Sequence, residues 1–129
     1  YDPDASDLLI ISYGNGIPMS LRTARILSER HQVSVRVMDL RWLLPLNESA
    51  ICQHAAECRH LLIIDEGRRS ASVGEGVITA IVEGGLGRLP IRRVVGADCY
   101  TPLAGAAAFV LPGDTEALAA ATALLGLSG

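Results

Sequence analysis

The chain has 129 residues, half of them hydrophobic and 19% charged, and this length suits one compact domain with a real core. Its formal net charge is −3 and its eleven basic residues are scattered, which argues against nucleic acid as a partner because protein surfaces that bind nucleic acid concentrate positive charge. The apolar stretches, such as residues 104–112, fall short of the roughly 20 residues that cross a bilayer, which argues against a membrane span.

Four short apolar segments are predicted to form strands. The first, residues 7–13 (DLLIISY), is almost continuously apolar and ends at a glycine, as expected of a strand that is covered on both faces. The other three are residues 33–39 (VSVRVMD), 60–65 (HLLIID) and 91–95 (IRRVV).

The segments between and after these strands carry apolar residues at helical spacing. The predicted helices end at residues 31, 58, 84 and 125. The first begins at residue 17 and the last at residue 114, while Asn47 and Ser72 are the predicted N-caps of the second and third. In the last of them, Leu118, Ala121 and Leu125 form the expected buried line. Strands that alternate with helices predict an α/β domain with a parallel sheet and right-handed crossovers. The opening residues carry no starting signal of their own, so we expect residues 1–129 to be a single domain cut from a longer chain.

The turn after the first strand, YGNGIPMS, matches the first two glycines of the dinucleotide fingerprint G-x-G-x-x-G. Asp39 ends the second strand, where that fold places its ribose-binding acid. However, Met19 stands at the third glycine position, and a tight strand-to-helix turn also favours glycines. We therefore favour a simple turn over a nucleotide or anion site at residues 14–16.

Cys52, His54, Cys58 and His60 superficially resemble a zinc ligand set. Residues two apart on a helix point to nearly opposite faces, so Cys52 and His54 cannot both face one metal ion. We therefore expect no metal site. An odd count of three cysteines also argues against a disulfide framework and suits a reducing compartment, so we expect a cytoplasmic protein.

Acidic and arginine side chains gather at the predicted carboxyl ends of the strands, which share one edge in a parallel sheet. Such a mixed-charge surface suits either a small ligand or another protein domain. We favour a protein partner because no nucleophile with a neighbouring base and no G-x-S-x-G turn is found. The candidate interface residues are Asp65, Glu66, Arg68, Arg69, Asp98 and Tyr100.

Four motifs in order resemble the C-terminal domain of the transketolase superfamily, most closely that of the beta subunit of 2-oxo acid dehydrogenase E1 components of the branched-chain and pyruvate type. They are YGNGIPMSLRTA, VRVMDLRWLLPL, LLIIDEGRRSASVGEGV and RRVVGADCYTPLAGAA. The resemblance covers residues 7 to 125. It implies a three-layer α/β/α domain with four parallel strands and one antiparallel edge strand. The antiparallel strand comes first in that family, and here only its tail, around Tyr1 to Pro3, could remain.

The resemblance also implies a function. The parent enzyme would use thiamine diphosphate and Mg²⁺ to decarboxylate a 2-oxo acid oxidatively and pass the acyl group to lipoyl-E2. This domain, which lacks the G-D-G motif, would hold no catalytic residue and no cofactor, and would serve assembly. The implied partners are a preceding pyrimidine-binding domain, an E1 alpha-type subunit, a second copy, and the subunit-binding domain of E2. The alternatives are a domain of a transketolase or 1-deoxyxylulose-5-phosphate synthase, and a stand-alone nucleotide- or anion-binding module.

Overall fold

The four predicted strands form one sheet in a computed structural model, which describes residues 1–127. They are β1 (Leu8–Ser12), β2 (Val35–Asp39), β3 (Leu61–Arg68) and β4 (Ile91–Gly96). All neighbouring pairs are parallel and the strand order is β2-β1-β3-β4. The prediction of a parallel α/β sheet is therefore confirmed. β3 runs three residues beyond its predicted end, because an irregularity between Asp65 and Arg68 lets it pair again with Gly96.

Four α-helices connect and follow the strands at the predicted places. They are α1 (Gly16–His31), α2 (Glu48–Ala56), α3 (Val73–Ile81) and α4 (Asp114–Leu125). Asn47 caps α2 as predicted, since its side chain accepts a hydrogen bond from the Ala50 amide at 3.1 Å. In α4 the buried residues are Ala117 and Ala121, whereas the two predicted leucines are partly buried at the margin of the core.

Two short helical segments were not predicted. A π-helical turn, Val82–Leu86, continues α3 and contains Gly85 at a φ of 82°. A Cβ atom on Gly84 would lie 2.6 Å from the Cys52 Sγ atom, so glycine is what lets this turn approach α2. The second segment is a 3₁₀ helix, Ala104–Phe109, between β4 and α4.

The helices cover the sheet on both faces, which gives the expected three layers. One buried cluster joins α1 and α4 to the sheet through Leu8, Ile10, Leu62 and Ile64 among others. The other joins α2 and α3 to the opposite face through residues that include Leu9 and Ile63. Alternate residues of the central strands thus serve alternate faces, and this explains their continuous apolar sequences.

The chain start lies against the outer edge of β2. The Tyr1 amino group donates to the Val37 carbonyl at 3.0 Å, and the Val37 amide donates to the Tyr1 carbonyl at 3.1 Å. Two residues that exchange both hydrogen bonds form the unit of antiparallel pairing. Tyr1 therefore pairs as the expected antiparallel edge strand would, although the described residues form no fifth strand.

A buried arginine anchors the chain at the amino end of the sheet, where the parallel strands begin. The Arg36 side chain is 5% exposed, and its guanidinium donates to the Ala5 carbonyl at 3.1 Å and to the Glu57 carboxylate at 2.5 Å. The His54 Nδ1 atom lies 2.9 Å from the same guanidinium. This polar cluster ties the entering chain to the end of α2.

Residues 104–125 are apolar and long enough, by length and composition alone, to qualify as a membrane span. In the fold they do not form one continuous helix, because the chain leaves helical geometry between Val110 and Gly113. α4 also contributes Ala117 and Ala121 to the core. Most of the segment is nevertheless exposed or partly buried, since only 11% of its most hydrophobic stretch lies buried in the fold.

Candidate assembly surface at the carboxyl edge

The carboxyl ends of the four parallel strands define one edge of the sheet, which we call the carboxyl edge. After β1 the chain crosses to one face in α1, and after β3 it crosses to the other face in α3. The connections therefore diverge between β1 and β3. This topological switch point is where open α/β sheets usually bind ligands.

Side chains close the switch point in this protein. The Tyr13 hydroxyl donates to Asp65 Oδ1 at 2.5 Å, and the Ser12 hydroxyl donates to the Ile64 carbonyl at 2.7 Å. Both bonds connect the end of β1 directly to the end of β3. They occupy the position in which a ligand crevice would open.

Asp65 is the centre of this closure. Its side chain is fully buried and accepts hydrogen bonds from the amides of Gly67 and Gly74, both at 2.7 Å. Gly74 lies in the first turn of α3, so Asp65 supplies a helix cap from the neighbouring strand. Ser72, the predicted cap, makes no side-chain cap bond. Its hydroxyl lies near Asp65 instead and helps to lower the pKa of that carboxyl.

The electrostatics make this cluster a fixed structural element. Burial on its own would raise the pKa of Asp65, but hydrogen bonds from Tyr13, Gly74, Gly67 and Ser72 outweigh it and lower the pKa below its usual range. Burial, and then the bond to Asp65, raises the pKa of Tyr13. At neutral pH, Asp65 is therefore ionised and Tyr13 is protonated.

The glycine-rich turn serves packing. Gly14 has a φ of 54°, which favours glycine, and a Cβ atom on Gly16 would lie 2.0 Å from the Ser12 Oγ atom. Met19, at the third fingerprint position, is buried in the core below α1. The interpretation as a tight strand-to-helix turn accounts for all three residues.

Asp39, the candidate ribose-binding acid, is held by its own loop. Its carboxylate accepts from the Arg41 amide at 3.1 Å and from the Arg41 Nε atom at 2.8 Å. A carboxylate engaged in this way is not directed at the glycine turn. The two halves of the nucleotide fingerprint therefore do not form one site.

The four candidate zinc ligands bind to different parts of the chain. Cys52, His54, Cys58 and His60 contact, in that order, the Ala80 carbonyl, the Arg36 guanidinium, the Ala5 carbonyl and the Asp7 carbonyl. Among residues 1–127, no three histidine, cysteine or acidic side chains converge as a metal site would require.

The predicted interface residues were Asp65, Glu66, Arg68, Arg69, Asp98 and Tyr100. Asp65 is fully buried and cannot contact a partner, so the prediction was wrong for that residue. We call the other five the rim; all are at least partly exposed, and Tyr100 is 96% exposed. The Asp98 carboxylate accepts from the Ser70 amide and hydroxyl, both at 2.8 Å, and these bonds lower its pKa. They join the loop after β3 to the loop after β4, beside a cavity of about 360 Å³ that Glu66 and Tyr100 line.

Exposed apolar side chains, which the sequence interpretation missed, flank the rim on both sides. Trp42 and Leu44 follow β2, and Leu103 and Phe109 follow β4, the last two at least 90% exposed. For Leu103 and Phe109, the sequence signal that could have indicated an apolar surface was the absence of charged residues from 99–113. Since β2 and β4 are the outer strands, the carboxyl edge presents a charged centre between two apolar margins.

Comparison with known proteins agrees with this architecture. The family model described as "Transketolase, C-terminal domain" matches residues 1–114. Among solved structures, a split-gene transketolase described as an inactive beta4 tetramer superimposes over the whole chain and 45% of its own, with a TM-score of 0.80 and 19% identity. A 2-oxoglutarate:ferredoxin oxidoreductase from Magnetococcus marinus gives a TM-score of 0.61 at 15% identity, over 94% of this chain and 18% of its own.

Curated relatives are more similar in sequence. The beta subunit of the mitochondrial pyruvate dehydrogenase E1 component of Saccharomyces cerevisiae is 32% identical over 78% of this chain and 28% of its own length. The 3-methyl-2-oxobutanoate dehydrogenase beta subunit of Mycobacterium tuberculosis is 30% identical, over 88% of this chain and 33% of its own. The pyruvate dehydrogenase E1 beta subunit of Staphylococcus aureus is also 30% identical, over 88% and 35%. The chain thus spans about a third of these relatives.

Proposed function

The chain belongs to the transketolase C-terminal domain family, and from this premise we propose that it is the noncatalytic assembly domain of a 2-oxo acid dehydrogenase E1 component of the beta type. The parent enzyme would decarboxylate a 2-oxo acid oxidatively and transfer the acyl group to lipoyl-E2. The observation that carries this proposal is the 30–32% identity to E1 beta subunits across most of the chain.

The closed switch point supports a role without catalysis. A catalytic acid or base needs a pKa near the operating pH and access to the substrate. Asp65 and Tyr13 have neither, because their pKa values move away from neutrality and they bind each other. The polar groups at the usual ligand position thus hold the fold together.

Thiamine diphosphate and Mg²⁺ belong, in this proposal, to other domains of the parent. Mg²⁺ needs available oxygen ligands in octahedral geometry, commonly carboxylates together with phosphate. Asp65 already accepts three hydrogen bonds and Asp39 is held by Arg41. Neither carboxylate is available as a Mg²⁺ ligand, and we assign no step through the cofactor to this domain.

The rim and its apolar margins form the proposed interface. A two-fold interface brings the same patch of both copies together, so it must complement itself. Glu66 and Asp98 supply negative charge and Arg68 and Arg69 positive charge within one patch, which meets that condition. A second copy, an E1 alpha-type subunit, a preceding domain of the parent and the E2 subunit-binding domain are the partners that we propose. A cytoplasmic location remains a prediction, since one relative is a mitochondrial subunit.

Sedimentation of the parent enzyme tests the proposed interface. We expect Glu66→Ala combined with Arg69→Ala to shift the assembly toward smaller species at micromolar concentration. Arg30→Ala is the matched control, because Arg30 is exposed at the end of α1, on the opposite edge of the sheet. Unchanged sedimentation of the double variant, with a native circular dichroism spectrum, would contradict the interface assignment.

A further inference from the structure

The outer edge of β4 carries backbone groups that the fold leaves open. The Leu61 amide donates to the Pro90 carbonyl, and the Ala97 amide donates to the Val110 carbonyl on the other side. Because backbone groups alternate in direction along a strand, Ile91, Arg93 and Val95 point away from β3. Within residues 1–127 their amides and carbonyls have no hydrogen-bond partner. The opposite edge differs, since Val37 at its centre pairs with Tyr1.

A groove runs beside the carboxyl-terminal half of β4. Its cavity has a volume of about 280 Å³. It is lined by residues 94–97, by residues 109–112, and by two charged side chains, Arg69 and Glu116. Phe109 is 90% exposed beside it. An extended chain laid along β4 would therefore meet apolar contacts as well as open backbone groups.

The exposed arginines near this edge determine which kind of polypeptide segment would bind there. Arg92 and Arg69 are exposed, and neither forms an ion pair with another described residue. Arg93 is largely covered, with its nearest acid, Glu75, at 3.8 Å. Two other acids lie nearby: Glu116 accepts a hydrogen bond from the Gly113 amide, and Asp98, which is close to Arg69, accepts two from Ser70. Two copies paired through β4 would bring arginines against arginines, whereas an acidic strand would neutralise them.

We propose that the outer edge of β4 binds an extended acidic polypeptide segment as an added strand. The backbone groups of Ile91, Arg93 and Val95 supply the pairing, and the exposed arginines supply the preference for acidic side chains. This surface adjoins the proposed two-fold interface at the end of β4, where Arg69 and Phe109 border both.

A synthetic peptide tests the pairing. The probe is a capped eight-residue peptide that alternates valine and glutamate, added to the ¹⁵N-labelled 129-residue chain up to 1 mM. We expect amide shifts confined to β4 and slower hydrogen exchange at Arg93 and Val95. A peptide N-methylated at four consecutive amides loses donors on both of its edges, and we expect it to bind at least tenfold more weakly.

Variants separate the backbone contribution from the charge contribution. Val95→Pro removes an outward amide that has no internal partner, so it should abolish binding and keep the sheet. Arg92→Gln should weaken binding about two- to fivefold, whereas Arg30→Gln, on α1, should leave it unchanged. The proposal is overturned by absent shifts on β4, by equal binding of the N-methylated peptide, or by a dimer of the chain paired through β4.

Discussion

Replacing Asp65 with asparagine tests whether one carboxylate organises the carboxyl edge. Asn has the same shape, but it has one acceptor oxygen and one amide group instead of two acceptor oxygens. In the native protein Oδ1 accepts from Tyr13 and Gly67, and Oδ2 accepts from Gly74. In either orientation, the new amide group of Asp65→Asn faces a backbone donor.

The expected cost follows from these bonds. Losing one buried hydrogen bond to a charged group costs about 1.5–3 kcal/mol. Losing the negative charge at the α3 N-terminus adds about 0.3–1 kcal/mol. We therefore expect Asp65→Asn to lower the free energy of unfolding by about 2–4 kcal/mol. Tyr13→Phe removes one donor and leaves the backbone donors in place, so its expected cost is about 1–2 kcal/mol.

Urea unfolding of the 129-residue chain, followed by circular dichroism, measures both effects. The pKa of Asp65 is lower in the folded state than in the unfolded state. Its stabilisation is therefore fully present above the unfolded pKa, about 3.9, and is lost as the pH falls through the folded pKa. The difference in the free energy of unfolding between the native protein and Asp65→Asn should therefore become smaller over that pH range. A cost below 1 kcal/mol at pH 7, or a difference that does not change with pH, would refute this reasoning.

Two further substitutions test other parts of the fold. Gly16→Ala places a Cβ atom 2.0 Å from the Ser12 Oγ atom, so thermal unfolding should show a loss of about 1–3 kcal/mol, whereas Gly87→Ala, with open space around it, should be nearly neutral. Equal melting temperatures for the two variants would contradict the packing role of the turn. Glu57→Gln should destabilise the protein at pH 7, because the hydrogen bond from Arg36 lowers the pKa of Glu57. This loss should disappear as the pH falls through the folded pKa of Glu57, and a loss that persists in acid would exclude the ion pair as its cause.

The secondary structure could be predicted because it depends on local signals. The continuous apolar segments of β1 and β3 required cover on both faces, and Asn47 marked the start of α2 through its own side chain. Alternation of the elements then fixed a parallel sheet. The added antiparallel strand came from the family resemblance, and only the Tyr1 pair represents it in the described residues.

The long-range contacts could not be predicted from the sequence. Asp65 was assigned to the interface because it ends a strand at the edge that the carboxyl ends share, yet it is fully buried and bonded to a tyrosine that lies 52 residues earlier. Nothing in the sequence around Gly67 and Gly74 indicates that they pack against this carboxylate, although a Cβ atom on either would lie within 3.1 Å of it. Arg36 lies on a strand with apolar neighbours, and nothing in its local sequence identifies Glu57 as its partner.

The closure of the switch point also determines where this domain can interact. Tyr13 and Asp65 fill the position at which most open α/β sheets hold a ligand, and breaking their bond would leave a buried carboxylate short of a donor. Recognition is therefore left to the surfaces around that point. The carboxyl edge offers charges of both signs between apolar margins, which suits a self-complementary protein interface. The outer edge of β4 offers open backbone groups beside unpaired arginines, which suits an extended acidic strand. The two surfaces adjoin at the end of β4, where Arg69, Phe109 and the backbone around Gly96 border both.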